Sequence, residues 1–143
     1  MAVPKIRIAL VILEDRQGRF ALQLRSPIPA IANPDRWGIF GGHIEAGEEP
    51  KHGALREIEE ELACRLEPSK LIPTDDFSQT AEKHYYVFYY PVTAELDKAV
   101  LMEGEDFGFF SFQEIQKGEI AGKEVVTHHL QMLEAFQKTN NRS

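Results

Sequence analysis

The sequence predicts an α/β domain of the α+β type, in which helices cover the faces of a mixed β-sheet. Three observations lead there. Short aliphatic and aromatic runs lie both before and after one long helical segment, a turn joins the first two of them as a hairpin, and an amphipathic segment closes the chain. Strands on both sides of a helix, opened by a hairpin, give a sheet that is neither purely parallel nor purely antiparallel.

Residues 6–14, Ile-Arg-Ile-Ala-Leu-Val-Ile-Leu-Glu, are nearly all aliphatic and rich in β-branched side chains, and the run is short enough for a buried strand. Asp15 to Arg19 form a turn in which Gly18 is free to take positive φ, and residues 20–25 return as a second strand. Pro27, Pro29 and Pro34 mark the next stretch as an ordered loop or a pocket wall. Residues 37–40, Trp-Gly-Ile-Phe, form a short strand that feeds Gly41-Gly42.

A helix follows, starting near Glu49 or Pro50 and ending near Ala63 or Cys64, ahead of Pro68. Residues 71–79 read as a strand interrupted by Pro73 and Thr74-Asp75-Asp76. Residues 84–90, His-Tyr-Tyr-Val-Phe-Tyr-Tyr, form the most β-prone segment, a central strand. Residues 107–112 form a further strand, and a short helix starts at Phe112. Val126, Leu130, Leu133 and Phe136 recur at helical spacing, so residues 123–138 close the domain as an amphipathic helix; residues 139–143 are expected to fray.

At 143 residues the chain suits a single domain, 1–143, with a core that needs neither disulfide nor structural metal. No apolar run approaches the roughly 20 residues of a membrane span. The first five residues lack a secretory h-region, and the single cysteine, Cys64, forms no internal disulfide. A cytoplasmic location is the expectation. A net charge of −7 speaks against a nucleic acid polymer as partner. It is compatible with simple solubility, or with an acidic substrate reached through bound cations.

Chemistry concentrates between Gly41 and Cys64. At about 100° per residue, Glu57, Glu60 and Glu61 share one arc of the helix while Leu55, Ile58 and Leu62 share another. One face packs and the other presents oxygen. Arg56 offsets part of the carboxylate repulsion through Glu60, and Arg65 through Glu61. Such a charge run is either a solvated helix face or a site for a divalent cation.

The stretch from Gly42 to Cys64 resembles the Nudix box: glycine, five residues, glutamate, seven residues, then Arg-Glu-aliphatic-x-Glu-Glu-x-Gly-aliphatic. Gly42, Glu48, Arg56, Glu57, Ile58, Glu60 and Glu61 match, whereas Ala63 and Cys64 depart from it. Glycine at position 63 would let the helix end in a left-handed conformation that costs alanine on the order of 1 kcal/mol, so Ala63 predicts a helix that runs on a little further. Neither departure removes a candidate ligand.

The resemblance implies a Nudix α/β/α sandwich and divalent-metal-dependent hydrolysis of a diphosphate linkage by a MutT-like pyrophosphohydrolase. Glu57, Glu60 and Glu61 would hold Mg²⁺, for which Mn²⁺ could substitute, together with the Gly41 carbonyl. Glu48 and Arg56 would brace the loop and helix by an ion pair, with Gly42 as the box glycine. Family members often add a glutamate from a downstream loop. Glu103 in Glu103-Gly104-Glu105-Asp106 is the first candidate for this base and further ligand, Glu105 the second, and an ordinary acidic surface loop the alternative.

Arg25 contacts either a substrate phosphate or base, or a surface carboxylate. Tyr86, on one strand face with Phe88 and Tyr90, either stacks on a base or sugar or belongs to the core. The histidines show no ligand spacing and are taken as structural or exposed. The expected substrate is a small nucleoside diphosphate derivative, namely a nucleoside triphosphate, a nucleotide sugar or a dinucleotide, handled by a monomer or homodimer. The competing reading is a nucleotide-sensing module without turnover, against which the full glutamate set speaks.

Overall fold

The computed structural model describes residues 6–74, 77–80 and 82–140, of which 77–80 are described by backbone alone. The expectations for residues 1–5, for Asp75 and Asp76, and for residues 141–143 lie outside them. The strands are β1 (Ile6–Glu14), β2 (Phe20–Leu24), β3 (Trp37–Gly38), β4 (Phe40–His43), β5 (Ile72–Pro73), β6 (Phe77–Thr80), β7 (Lys83–Pro91), β8 (Asp106–Phe110), β9 (Glu119–Ile120) and β10 (Lys123–Glu124). The helices are α1 (Pro50–Leu62), α2 (Phe112–Gln116) and α3 (Thr127–Thr139).

Eight of these strands form one mixed sheet whose axis is β1 beside β7. The two run parallel over their whole length, from Ile6 opposite Lys83 to Glu14 opposite Pro91. The other edge of β1 pairs antiparallel with β4, and at its end with β2. From Ala9 to Leu13 β1 is buried on both faces, which is why this part of its sequence is a continuous aliphatic run.

Strand alternation divides the core in two. Ala9, Val11 and Leu13 of β1, with Phe88 and Tyr90 of β7, pack on Ala54, Ile58 and Leu62 of α1. Leu10 and Ile12, with Tyr85 and Val87, pack on Ile115 of α2 and on Met132, Leu133 and Phe136 of α3. Helices thus cover both sheet faces, as expected. Ile58 and Leu62 are fully buried, and each contributes about 1.5–3 kcal/mol to docking α1 on the sheet.

The closing helix begins four residues later than its apolar spacing suggests. Ala121 and Gly122 both take positive φ, 51° and 82°, the backbone of a tight hairpin turn. They fold Lys123–Glu124 back on Glu119–Ile120. Val126 N–H then reaches the Trp37 carbonyl at 2.8 Å, and only after this anchor does α3 start, running on through Thr139. The expected strand at residues 37–40 is split at Ile39, whose N–H donates to Nδ1 of the buried His129 at 3.0 Å. The expected strand at 71–79 becomes the two short strands β5 and β6.

Helix α1 stops at Leu62, so the expected run-on past Ala63 does not occur. Ala63 takes the left-handed conformation itself, at φ 52° and ψ 36°, and donates its N–H to the Glu59 carbonyl at 2.9 Å. The main chain beyond explains this choice: Val100 N–H caps the Leu62 carbonyl at 2.9 Å and Met102 N–H the Glu61 carbonyl at 2.8 Å. A continuing helix would claim those carbonyls for itself. Ala63→Gly is expected to raise stability by about 1 kcal/mol and the melting temperature by roughly 3 °C. Calorimetry showing no gain would mean that the turn is not strained.

Candidate functional site

The sequence Phe40-Gly41-Gly42-His43 is a strand in which two side chains are missing; the β1 backbone lies against the first gap and the carboxylate helix against the second. Opposite β1, Gly41 pairs with Leu10 and Gly42 with Ala9. Gly41 has φ 146°, and a Cβ there would fall 2.0 Å from the Ala9 carbonyl oxygen. A Cβ on Gly42 would fall 2.5 Å from the Glu57 carboxylate. Gly41 therefore lets β4 lie close on the β1 backbone, and Gly42 lets α1 approach the sheet.

Glu61 reaches the same strand, where its Oε1 accepts the Gly41 N–H at 2.9 Å. Its side chain is buried, at 2% exposure. The wheel placed Glu61 on an oxygen-presenting face; the structure turns it inward against β4. Its expected partner Arg65 instead contacts Glu59 at 3.2 Å, because Glu61 points away from the solvent face that Arg65 occupies.

Burial pushes the Glu61 carboxyl well above the ordinary range, the neighbouring Glu57 pushes it further, and the Gly41 N–H only partly opposes this. Glu57 is also raised, chiefly by burial, with Arg56 opposing and Glu60 and Glu103 adding to the rise.

Arg56 is the local counter-charge. Its Nε donates to Glu48 Oε2 and its Nη2 to Glu48 Oε1, both at 2.9 Å, a bidentate pair. Its Nη1 donates to Glu57 at 3.0 Å and to Glu60 at 3.2 Å. A further bond from Nη2 to the His43 carbonyl, 3.0 Å, ties the helix to the end of β4. Glu48 also accepts the Glu45 N–H at 3.0 Å, and Arg7 of β1 donates to the Glu45 and Glu48 carbonyls. Helix, glycine strand and connecting loop are thus one braced unit.

A cleft of about 370 Å³ opens beside it, lined by Glu57, Glu60 and Glu61 with Gly41, Gly42 and His43. Arg25, Ser26, Ile28 and Ile31 line it too, as do Gln23, Glu103 and Gly104. Arg25 is tied into the proline loop: its Nε donates to the Ala32 carbonyl at 2.7 Å. The structure therefore brings Arg25, Gly41, Gly42, Glu57, Glu60, Glu61 and Glu103 to one cavity, with Arg56 and Glu48 behind it.

Two candidates fall elsewhere. Tyr86 packs half-buried against the core on the α1 side and edge-on to His84, and is not among the residues lining the cleft. Glu105 is absent from the lining too, its N–H bound to the Leu24 carbonyl at 2.8 Å. Sequence reasoning missed Gln23 and His43, whereas Ile28 and Ile31 belong to the proline-marked stretch expected as a loop or pocket wall. Gln23 carried a signal, since a polar residue inside the otherwise apolar β2 needs a partner.

Hard carboxylate oxygens are the donors that Mg²⁺ and Mn²⁺ prefer, and the buried Glu61 and half-buried Glu57, both with raised pKa, form a site that a cation would relieve. Among the described residues, no three His, Cys, Asp or Glu side chains are gathered closely enough to hold an ion as they stand. Arg56 holds Oε1 of both Glu57 and Glu60. The donor set fits a divalent cation, provided that these two glutamates exchange Arg56 for it.

The brace gives a pH expectation. Hydrogen bonds from Arg56 and from the Glu45 N–H lower the Glu48 pKa to about 2. A depressed carboxylate stabilises the fold above its unfolded pKa of about 4.3, and that contribution fades as pH falls towards 2. Wild type should therefore melt higher than Glu48→Gln at pH 7, with the gap narrowing below about pH 4.5. A gap independent of pH would remove the charge from the explanation.

The NUDIX domain family matches residues 4–130 of this chain. The chain is 36% identical over 64 residues to mouse diphosphoinositol polyphosphate phosphohydrolase 3-alpha, covering 45% of this chain and 39% of that protein. The match thus spans about two fifths of the curated relative's length. Solved structures with the same fold include a MutT protein from Methanosarcina mazei, with TM-score 0.71, 22% identity and 99% of each chain covered. A mutT/nudix family protein from Listeria innocua gives TM-score 0.71 and 22% identity, over 98% of this chain and 97% of that one. The glycine-backed glutamate helix and a family match over nearly its whole length show that this chain belongs to the Nudix family.

Proposed function

We propose that the chain, acting as one unit over residues 1–143, is a divalent-metal-dependent pyrophosphohydrolase that splits a diphosphate linkage in a small nucleoside diphosphate derivative. The observation that carries this reading is the placement of Glu57, Glu60, Glu61 and Glu103 around one cleft that Arg25 also lines.

Family members generally use divalent metals, and such an ion, Mg²⁺ or Mn²⁺, supplies neutralisation of the diphosphate and a more acidic water. Glu57, Glu60 and Glu61, with the Gly41 carbonyl, are the groups to hold it, and Glu103 closes the set. Arg25, anchored through Nε, offers its remaining N–H groups to a phosphate or base. Glu103 takes the proton of the attacking water. A new P–O bond forms as the bridging P–O bond breaks, and the leaving phosphate departs with the electron pair. Arg56, released by Glu57 and Glu60 to the ion, would stay on Glu48 through its bidentate pair and brace the helix without touching the substrate.

The mouse relative's name points to a diphosphoinositol polyphosphate as a second reading. A substrate carrying many phosphates calls for many cations. Arg25 is the one Lys or Arg among the lining residues, against four glutamates, and Ile28 and Ile31 offer an apolar surface. The cleft therefore favours one diphosphate attached to a less charged group, such as a nucleoside.

A panel of nucleoside triphosphates, nucleotide sugars and dinucleotides, with diphosphoinositol polyphosphates alongside, should yield turnover that needs Mg²⁺ or Mn²⁺. Metal-independent turnover, or none with any compound, would sink the reading. Glu60→Gln is expected to lower kcat by roughly 10²–10⁴-fold with the melting temperature little changed. Arg25→Ala should chiefly raise KM, on the order of tenfold, if Arg25 binds substrate in ground and transition states alike.

A further inference from the structure

The loop that carries Glu103 has no secondary structure of its own, yet its backbone is tied on both sides of Glu103. Before it, Met102 N–H donates to the Glu61 carbonyl of α1 at 2.8 Å. After it, Glu105 N–H donates to the Leu24 carbonyl of β2 at 2.8 Å. The turn between these anchors is made at Gly104, φ 93°, where a Cβ would fall 2.8 Å from the Leu24 carbonyl oxygen and 2.9 Å from Gln23 Nε2. The loop lies on β2 as closely as a backbone can.

One side chain completes the attachment. Gln23, on the same face of β2 as Ala21, is only 3% exposed and donates from Nε2 to the Glu103 carbonyl at 2.7 Å. A buried amide in an apolar strand costs free energy unless it is bonded, and its bond goes to the residue whose carboxylate enters the cleft.

We propose that Gln23 is a positioning residue, which fixes the Glu103 carboxylate over the glutamate wall by gripping the Glu103 main chain. This rests on the reading of the cleft as a hydrolytic site. Gln23 acts through Glu103, so its removal costs turnover rather than substrate binding, and costs nothing once Glu103 is itself disabled.

The test combines kinetics with amide hydrogen exchange on the full chain. Gln23→Met keeps the side-chain volume and loses the donor. With Mg²⁺ and whichever nucleoside diphosphate derivative the panel selects, kcat should fall on the order of a hundredfold, as for a misplaced catalytic group, with KM changed less than about twofold. In a Glu103→Gln background the same substitution should add less than about threefold. Exchange at the Glu105 amide should quicken at least about tenfold while Leu22 stays protected, and Gly104→Ala should reproduce that pattern. If Gln23→Met does not fold, Gln23→Leu, which also loses the N–H without adding a charge, carries the same expectations.

Three results would overturn the proposal: a raised KM with kcat intact, which makes Gln23 a substrate contact; equal losses in both backgrounds; or an unchanged Glu105 amide. A wild-type chain that hydrolyses nothing would defeat the hydrolase reading instead, and exchange at Glu105 would still decide whether Gln23 holds the loop.

Discussion

The structure of the site depends on a buried carboxylate. Glu61 is enclosed between α1 and β4 with the Gly41 N–H as a donor, and an ionised group so placed costs several kcal/mol unless it is compensated. Everything nearby follows from tolerating that cost. Gly41 carries no side chain and lies tight on the β1 backbone, and Gly42 carries none, so Glu57 can lie over it while Glu61 accepts the Gly41 N–H. Ile58 and Leu62, on the adjacent helix face, supply the apolar contact that holds α1 there.

Arg56 is the second half of the arrangement. One guanidinium joins Glu48, Glu57, Glu60 and the His43 carbonyl, so it lowers the repulsion between glutamates and fixes the loop from β4 to α1. Its own pKa is raised, first by the Glu48 hydrogen bond, so its charge is permanent. Arg56 thus braces the glutamates from outside the cleft lining, and Arg25 is the cation within that lining. The loop after β7 adds a second service, capping α1 at Glu61 and Leu62 while carrying Glu103 to the cleft. Helix termination and site assembly are the same contacts.

Ala63 and Gln23 show where local reading stops. Alanine disfavours the left-handed region, so position 63 reads as continuing helix until the main chain of residues 100–102 competes for the last carbonyls. Likewise the apolar spacing of residues 123–138 is genuine, but the turn at Ala121-Gly122 and the Trp37 anchor hold the first residues extended. Gln23 could be singled out as a polar residue in an apolar strand, yet its partner lies 80 residues away.

By itself the sequence determined the class of fold, the course of β1, β7 and α1, and the identity of the chemical groups. Those features are written in short-range patterns: strand alternation, helical spacing, proline and glycine positions, and a box of fixed spacing. Tertiary structure alone decided that Glu61 faces inward, that Arg56 gathers three glutamates, that Tyr86 stays with the core, and that Glu103 rather than Glu105 reaches the cleft. The physical reason is that burial and pairing depend on segments far apart in the chain, and no spacing along one helix or loop can encode which backbone will lie against it.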